Sequence, residues 1–249
     1  MADYKDGRRW LRANWSELGQ ITTDQQAREA YPALEQPVPA DATLIELPAV
    51  DELPSPPMSF IEATRSRQSR RRWSDEPLTL ADLALLLWAT QGVRSVAGSG
   101  AATLRTVPSG GARHTFETYL AVGRVDGLGP GLYRYLALEH KLWQISLNEE
   151  IMEAAGAACL NQRTVRRCAV AFFWSSVPYR AEWRYAVAAH KMIAIDAGHV
   201  CQSLYLACEA LGLGCCAIGA YDQRLADALI GADGDDELAV YAAAVGRPD

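Results

Sequence analysis

AVAAHKMIAIDAGHVCQSLYLACEALGLGCCAIGAYD (186–222) is the stretch on which the fold turns. From Ala186 to Leu211 it is predominantly apolar and built mostly of good helix formers, which predicts a central core helix in one or two pieces. The helix ends at GLG (212–214), where glycine favours a C-terminal stop. Such a helix needs an apolar layer to lie on. AVAFFW (169–174) reads as a strand buried on both faces, because no polar residue interrupts it. LAVYAAAVG (238–246) supplies a last strand. ETYLAVG (117–123), YRYL (133–136) and KLWQI (141–145) read as further strands, with a turn at Gly127, Gly129, Pro130 and Gly131. A helix is expected over roughly 149–160. Strands and helices are interspersed without a strand–helix repeat, so a mixed layered structure is expected rather than a doubly wound one.

Toward the N-terminus, TLADLALLLWATQG (79–92) carries its own boundaries. Thr79 is a natural N-cap, Asp82 a short substitute for the Glu of a capping box, and Gly92 a stop. Between them Leu80, Leu83, Ala84, Leu87 and Trp88 recur on one helical face. The Gly/Ser/Ala segment Ser95–Thr103 is expected to be a mobile loop. Residues 1–57 read as an N-terminal arm to a domain at 58–249. Trp10, Leu11, Trp15 and Leu18 suit a short helix, and then Pro32, Pro37, Pro39, Pro48, Pro54, Pro56 and Pro57 forbid long regular structure. To be ordered, the arm must lie on the main body or on a second subunit.

The 249 residues allow one sizeable core. A formal charge of −6 argues against general nucleic-acid binding but not against one basic pocket for a phosphate. The cysteines Cys159, Cys168, Cys201, Cys208, Cys215 and Cys216 sit in apolar stretches without the close pairing of a structural zinc site, so no metal is expected and buried free thiols are. With no long apolar run at the N-terminus, neither a signal peptide nor a spanning segment is expected, and the protein reads as cytoplasmic.

Three segments suit chemistry. In SRQSRRRW (66–73), Arg67, Ser69 and Arg71 alternate, and on an extended strand would share one face toward a phosphate; a solvated basic patch fits the same residues. In TVPSGGARHTFETYLAV (106–122), Pro108 fixes the approach, Ser109 offers a hydroxyl, and Gly110 and Gly111 let backbone approach a flat ligand; a tight turn fits equally. In ALGLGCCAIGAYD (210–222), backbone amides of a small-residue segment can face a ring nitrogen, or simply lead into an edge strand. Asp196 and His199, three apart on the long helix, can hydrogen-bond to each other, with His199 expected in the core. GSGAAT (98–103) lacks the third glycine of a dinucleotide fingerprint, and there is no Walker A sequence, HExxH or nucleophile elbow.

Taken in order, RQSRRRW (67–73), LLLWATQGV (85–93), RTVPSGGARHTFETYLAVG (105–123), GLGPGLYRY (127–135) and DAGHVCQSLYLACEALGLGCCAIGAYD (196–222) resemble the nitroreductase family of FMN enzymes over about Phe60 to Gly246. The nearest likeness is to the SagB-type branch of thiazole/oxazole-forming peptide dehydrogenases and its stand-alone relatives. The resemblance implies an α+β fold, a mixed and largely antiparallel sheet flanked by helices, with FMN at a homodimer interface. Its phosphate element falls on Arg67, Gln68, Ser69, Arg70 and Arg71, with Gln68 replacing the usual basic residue. Its Pro-Ser flavin loop falls on Pro108, Ser109, Gly110 and Gly111. Its loop over flavin N5 falls on Ala217, Ile218, Gly219 and Ala220, where a backbone N–H of Gly219 or Ala220 is expected to meet N5. Asn161 or Gln162 stands where some members place an amide at the pyrimidine edge, and Arg247 is a substitute for a basic tail. Two departures stand out: Ser203 replaces the Asn of a GHxxQN-like stretch, and the chain ends at VGRPD before the basic tail many members have. Where peptide dehydrogenases often carry a Lys-Tyr pair, no lysine accompanies Tyr179, Arg184 and Tyr185.

In function, the resemblance implies an oxidoreductase passing a hydride through flavin N5, from NAD(P)H to a small organic acceptor. No catalytic side chain is assigned. The alternatives are a dehydrogenase or oxidase of a peptide-derived or small cyclic substrate using oxygen, and a catalytically silent homologue that binds flavin or a partner.

Overall fold

The computed structural model describes residues 4–13, 15–53 and 55–249. Its helices are α1 (Lys5–Trp10), α2 (Trp15–Leu18), α3 (Asp24–Ala27), α4 (Phe60–Ser66), α5 (Leu80–Gln91), α6 (Ile151–Ala158), α7 (Arg163–Arg167), α8 (Tyr179–Tyr185), α9 (Ala189–Ala210) and α10 (Gln223–Ile230). Its strands are β1 (Thr43–Glu46), β2 (Val93–Ala97), β3 (Ala102–Arg105), β4 (Phe116–Val122), β5 (Gly131–Leu136), β6 (Lys141–Leu147), β7 (Val170–Ser176), β8 (Gly214–Ile218) and β9 (Leu238–Gly246). Among the described residues one sheet of seven strands runs β1-β6-β5-β4-β7-β9-β8, and every neighbouring pair is antiparallel. A parallel bridge from Ser69 to Cys215 extends its β8 edge.

The uninterrupted apolar runs become the centre of this sheet. β4, β5 and β7 are buried along their whole length, so both faces must be covered. Leu83 and Leu87 of α5 and Val200 and Leu204 of α9 join the core on one face with Leu120, Phe172 and Val245. Ile151 and Ala155 of α6, Val165 of α7 and Ile230 of α10 cover the other with Tyr119, Phe173 and Ala244. Period-two alternation sends the adjacent Cys215 and Cys216 to opposite faces, and all six cysteines are buried and free. The predicted core helix is one long helix preceded by a short 3-10 turn at Ala186–Ala188. Thr79 and Asp82 form the expected reciprocal cap of α5, and Gly92 ends it.

Ser95–Thr103 differs from the mobile loop expected. β2 and β3 pair antiparallel, Ala97 opposite Ala102. The glycines serve only its tip, where Gly98 and Gly100 take positive φ. Val93, Val96 and Thr103 on either side are β-branched and extend.

The proline-rich arm lies on the body of its own chain, with Thr43–Glu46 as the sheet's edge strand. Buried cations hold its carbonyls. Arg180 Nε donates to Ala33 O at 2.8 Å, Arg105 Nη2 to Leu34 O at 3.3 Å, and Arg134 Nη2 to Gln36 O at 2.8 Å. Glu117 accepts from Gln36 N at 2.8 Å and from Arg180 Nη2 at 2.6 Å, both ionic side chains being almost wholly buried. Burial pushes the Arg105 guanidinium down to about 10, so it remains a cation at neutral pH.

Removing one member of such a buried pair strands the other charge, so Glu117→Ala is expected to lower the unfolding free energy by about 3–5 kcal/mol. Urea denaturation checks the magnitude, and limited proteolysis should show cleavage opening at residues 28–40. A loss below about 1 kcal/mol would mean the pair does not hold the arm.

Candidate flavin site on two faces of one helix

α4 stops at Ser66, and Arg67 turns the chain into extended conformation at φ −51°, ψ 119°. The next residues run beside β8, with Arg70 N donating to Cys215 O at 3.0 Å. Alternation then sorts the side chains. Arg70 reaches the buried Glu209, Nε to Oε1 at 3.6 Å, and Gln68 N donates to the same carboxylate at 3.3 Å. Arg67 stacks its guanidinium over the Tyr205 ring, 5.2 Å from the centroid. Arg71 donates weakly to Ser69 O at 3.4 Å. Among the described residues, neither Arg67 nor Arg71 has a carboxylate partner.

Tyr205 ties this edge to the next segment. Its hydroxyl accepts from Ala217 N at 2.8 Å and shares a hydrogen bond with Ser69 Oγ at 2.8 Å. Ile218 is buried in the sheet, and Gly219 and Ala220 then emerge at the surface; a Cβ on Gly219 would meet open space. Gln162 Nε2 donates to Ala220 O at 2.9 Å, fastening the far end of the loop. Asn161 sits in the left-handed region at φ 60° and accepts from Arg166 Nη2 at 2.6 Å, so its amide oxygen is already engaged.

The second half of the site is the turn Pro108–Ala112. Gly111 adopts φ 58°, and a Cβ there would collide with the Tyr185 hydroxyl; one on Gly110 would collide with Met192 Cε. Asp196 of α9 accepts from Gly110 N at 3.0 Å. Burial raises the Asp196 carboxyl, opposed by the bonds from Ser109, Gly110 and His199. Ser109 Oγ accepts from His114 N at 2.9 Å. His114 is buried, and desolvation, with Arg105 and Arg113 nearby, pushes its imidazole down to about 3.

These two halves do not meet within one chain's helix face. Asp196 and Tyr205 are nine residues apart, half a turn out of phase at about 100° per residue. Between them Ala194, Ile195, Gly198, His199 and Gln202 form an exposed stripe of the molecule's central helix. His199 therefore is not in the core as expected: its side chain is 43% exposed, with Nδ1 3.6 Å from Asp196 Oδ1. Arg247 is likewise drawn elsewhere. Its Nη2 donates to Asp82 at 2.9 Å and its Nε to Pro77 O at 3.0 Å, so Arg67, Ser69 and Arg71 are brought together without it. Sequence reasoning passed over Tyr205 and Glu209. Their signal was present as two polar residues, i and i+4, on the apolar face of a core helix, where a buried polar group needs a partner.

The Tyr205 hydroxyl thus serves two segments beside two cations that have no carboxylate partner among the described residues. Residues 64–247 match the nitroreductase family. This chain belongs to the nitroreductase family. It is 30% identical over 190 residues to a protein of Methanocaldococcus jannaschii named as a nitroreductase, covering 76% of this chain and 90% of that one. A solved structure from Anabaena variabilis, also named as a nitroreductase, superposes with a TM-score of 0.69 at 27% identity, over 84% of this chain and 42% of that one. The trifolitoxin-processing protein TfxB of Rhizobium leguminosarum bv. trifolii is 30% identical over 113 residues, covering 44% of this chain. The chain thus spans less than half the length of the Anabaena protein and 30% of TfxB. Nitroreductases are flavin oxidoreductases, and the α+β antiparallel sheet with helices on both faces is their fold. Among the described residues no helix is long and apolar enough to cross a membrane.

Tyr205→Phe leaves Ser69 Oγ and Ala217 N without their shared partner, so a loss of about 1–3 kcal/mol is expected in thermal unfolding. His114 makes stability depend on acid. Its folded value of about 3 lies below its unfolded 6.5, so the unfolded chain binds the extra proton and stability falls as pH drops through that window. The slope contributed is about 1.4 kcal/mol per pH unit; denaturation of His114→Gln at pH 4 to 7 should show it flattened.

Proposed function

We propose that this nitroreductase homologue binds FMN and transfers reducing equivalents from NAD(P)H to a small organic acceptor, as a cytoplasmic homodimer. The observation that carries this reading is the pair Arg67 and Arg71, which flank the Ser69 hydroxyl without carboxylate partners in an acidic protein. That donor set suits a phosphate dianion. Arg70, the odd one out by alternation, is the arginine that Glu209 neutralises. The open backbone at Gly219 and Ala220 suits amides facing a ring nitrogen, and the collisions a Cβ would make at Gly110 and Gly111 suit a turn that must stay close-packed. When bound, FMN supplies two-electron hydride chemistry at its ring.

The residues of this chain then have three tasks. Arg67, Ser69 and Arg71 anchor the phosphate. Tyr205 holds Ser69 and Ala217 in fixed relation, so that the phosphate anchor and the 217–220 amides are positioned together. Asp196 holds the Ser109–Gly111 turn by its backbone. Because that turn and Tyr205 occupy opposite faces of α9, a second copy laid against the exposed Gly198 and Gln202 would bring one chain's turn to the other's arginines. This supports the interface site. Arg247 and Asn161, engaged with Asp82 and Arg166, would reach the cofactor only by exchanging those partners.

A SagB-type role, desaturating a peptide-derived substrate with oxygen as acceptor, is the second reading. The partial likeness to a trifolitoxin-processing protein favours it, and the absence of lysine beside Tyr179 counts against it.

The purified protein is expected to be yellow, dimeric by sedimentation, and bleached by NADPH or NADH under anaerobic conditions. Yellow protein that stays oxidised would point to the peptide-substrate reading. Colourless protein that also refuses added FMN would defeat the proposal. Arg67→Gln and Arg71→Gln should each weaken FMN binding by about 10-fold or more, one charge-assisted hydrogen bond being lost.

A further inference from the structure

Beside the glycine turn, the N-terminal segment and the start of α9 line a cavity of 260 Å³. Its apolar wall is Trp10, Trp15, Met192 and Ile195, and its basic wall Arg12, His190 and Lys191. Among the described residues no acid lines it. The apolar wall is joined to the turn at two places. Met192 packs on Gly110, and Trp15 packs edge-to-face on Tyr185, centroids 5.8 Å apart, while the Tyr185 hydroxyl packs on Gly111.

The two indoles are half exposed, at 50% and 51%, where they flank the cavity. Indole faces stack on planar rings. The volume lies below the roughly 300–1,000 Å³ of drug-sized pockets, which restricts the occupant to about one ring. The cations set its charge. His190 Nε2 is held by Glu182 Oε1 at 2.7 Å, but Arg12 has no carboxylate partner among the described residues. The Lys191 ammonium donates to Leu11 O, which uses one of its three donors.

We propose that this cavity is a recognition pocket for a single-ring aromatic carboxylate, with Trp10 and Trp15 packing on the ring and Arg12 and Lys191 pairing with the carboxylate. It rests on reading the Ser109–Gly111 turn as the flavin side of the site, since that is what makes the pocket's occupant a substrate. Trp10, Arg12 and Trp15 of this pocket lie outside the matched family region at 64–247, and Lys191 lies inside it, so the N-terminal segment would share in setting specificity.

Isothermal titration calorimetry of the full chain with 4-nitrobenzoate, nitrobenzene, 4-nitrobenzylamine and cyclohexanecarboxylate tests this. Saturable binding of 4-nitrobenzoate is expected, at least 10-fold tighter than any of the other three. Lys191→Gln keeps a donor for Leu11 O and removes only the charge; it and Arg12→Gln should each weaken 4-nitrobenzoate binding about 10-fold. Trp15→Ala should weaken it further, and FMN uptake followed by visible absorbance should be unchanged in all three. Equal binding of the four probes, preference for the amine, or binding indifferent to Lys191→Gln and Arg12→Gln would overturn the proposal. If FMN is refused while 4-nitrobenzoate still binds through Lys191, the pocket stands as a ligand site and the flavin reading alone fails.

Discussion

Half a turn of helix separates the two polar attachments of α9, and the arrangement of the molecule depends on that separation. On one face the Asp196 carboxylate takes the Gly110 N–H; on the other the Tyr205 hydroxyl joins Ser69 to Ala217. Both groups are buried, so each had to find its partner inside the protein. The helix is therefore fixed in rotation by hydrogen bonds as well as by the leucines that pack it on the sheet. Its apolar contacts alone would tolerate sliding; a carboxylate and a phenol on opposite sides do not.

The cost of this polarity is offset by the hydrogen bonds that the buried arginines donate. Arg105, Arg134 and Arg180 direct their donors to carbonyls of residues 33–37, a segment whose prolines leave those carbonyls outside any helix or strand ladder. Glu117 supplies the counter-charge. An arm without regular secondary structure is in this way held by side chains from α8, β3 and β5. Its first part can then be placed over the start of α9, where Trp15 meets Tyr185.

The same helix carries the two segments on separate faces. The arginine edge and the glycine turn are each well organised by one chain, yet they face away from each other. Ala194, Ile195, Gly198 and Gln202 are exposed on the same helix. The nitroreductase fold here holds the two segments fixed on opposite faces of α9.

Much of this was legible in the residues. β7 and β9 declare themselves by uninterrupted apolar runs, α5 by Thr79, Asp82 and Gly92, and α9 by length and helix-forming composition, because each is a local consequence of side-chain type and period. The alternation of Arg67, Ser69 and Arg71 is local in the same sense. What the chain alone did not determine are the meetings between distant segments. That Glu209 would select Arg70, that Tyr205 would serve Ser69 and Ala217 together, that Asp82 would capture Arg247, and that His199 would face outward all depend on which groups are brought within about 3 Å by packing. Sequence spacing sets the face on which a residue lies; only the tertiary structure decides what stands opposite it.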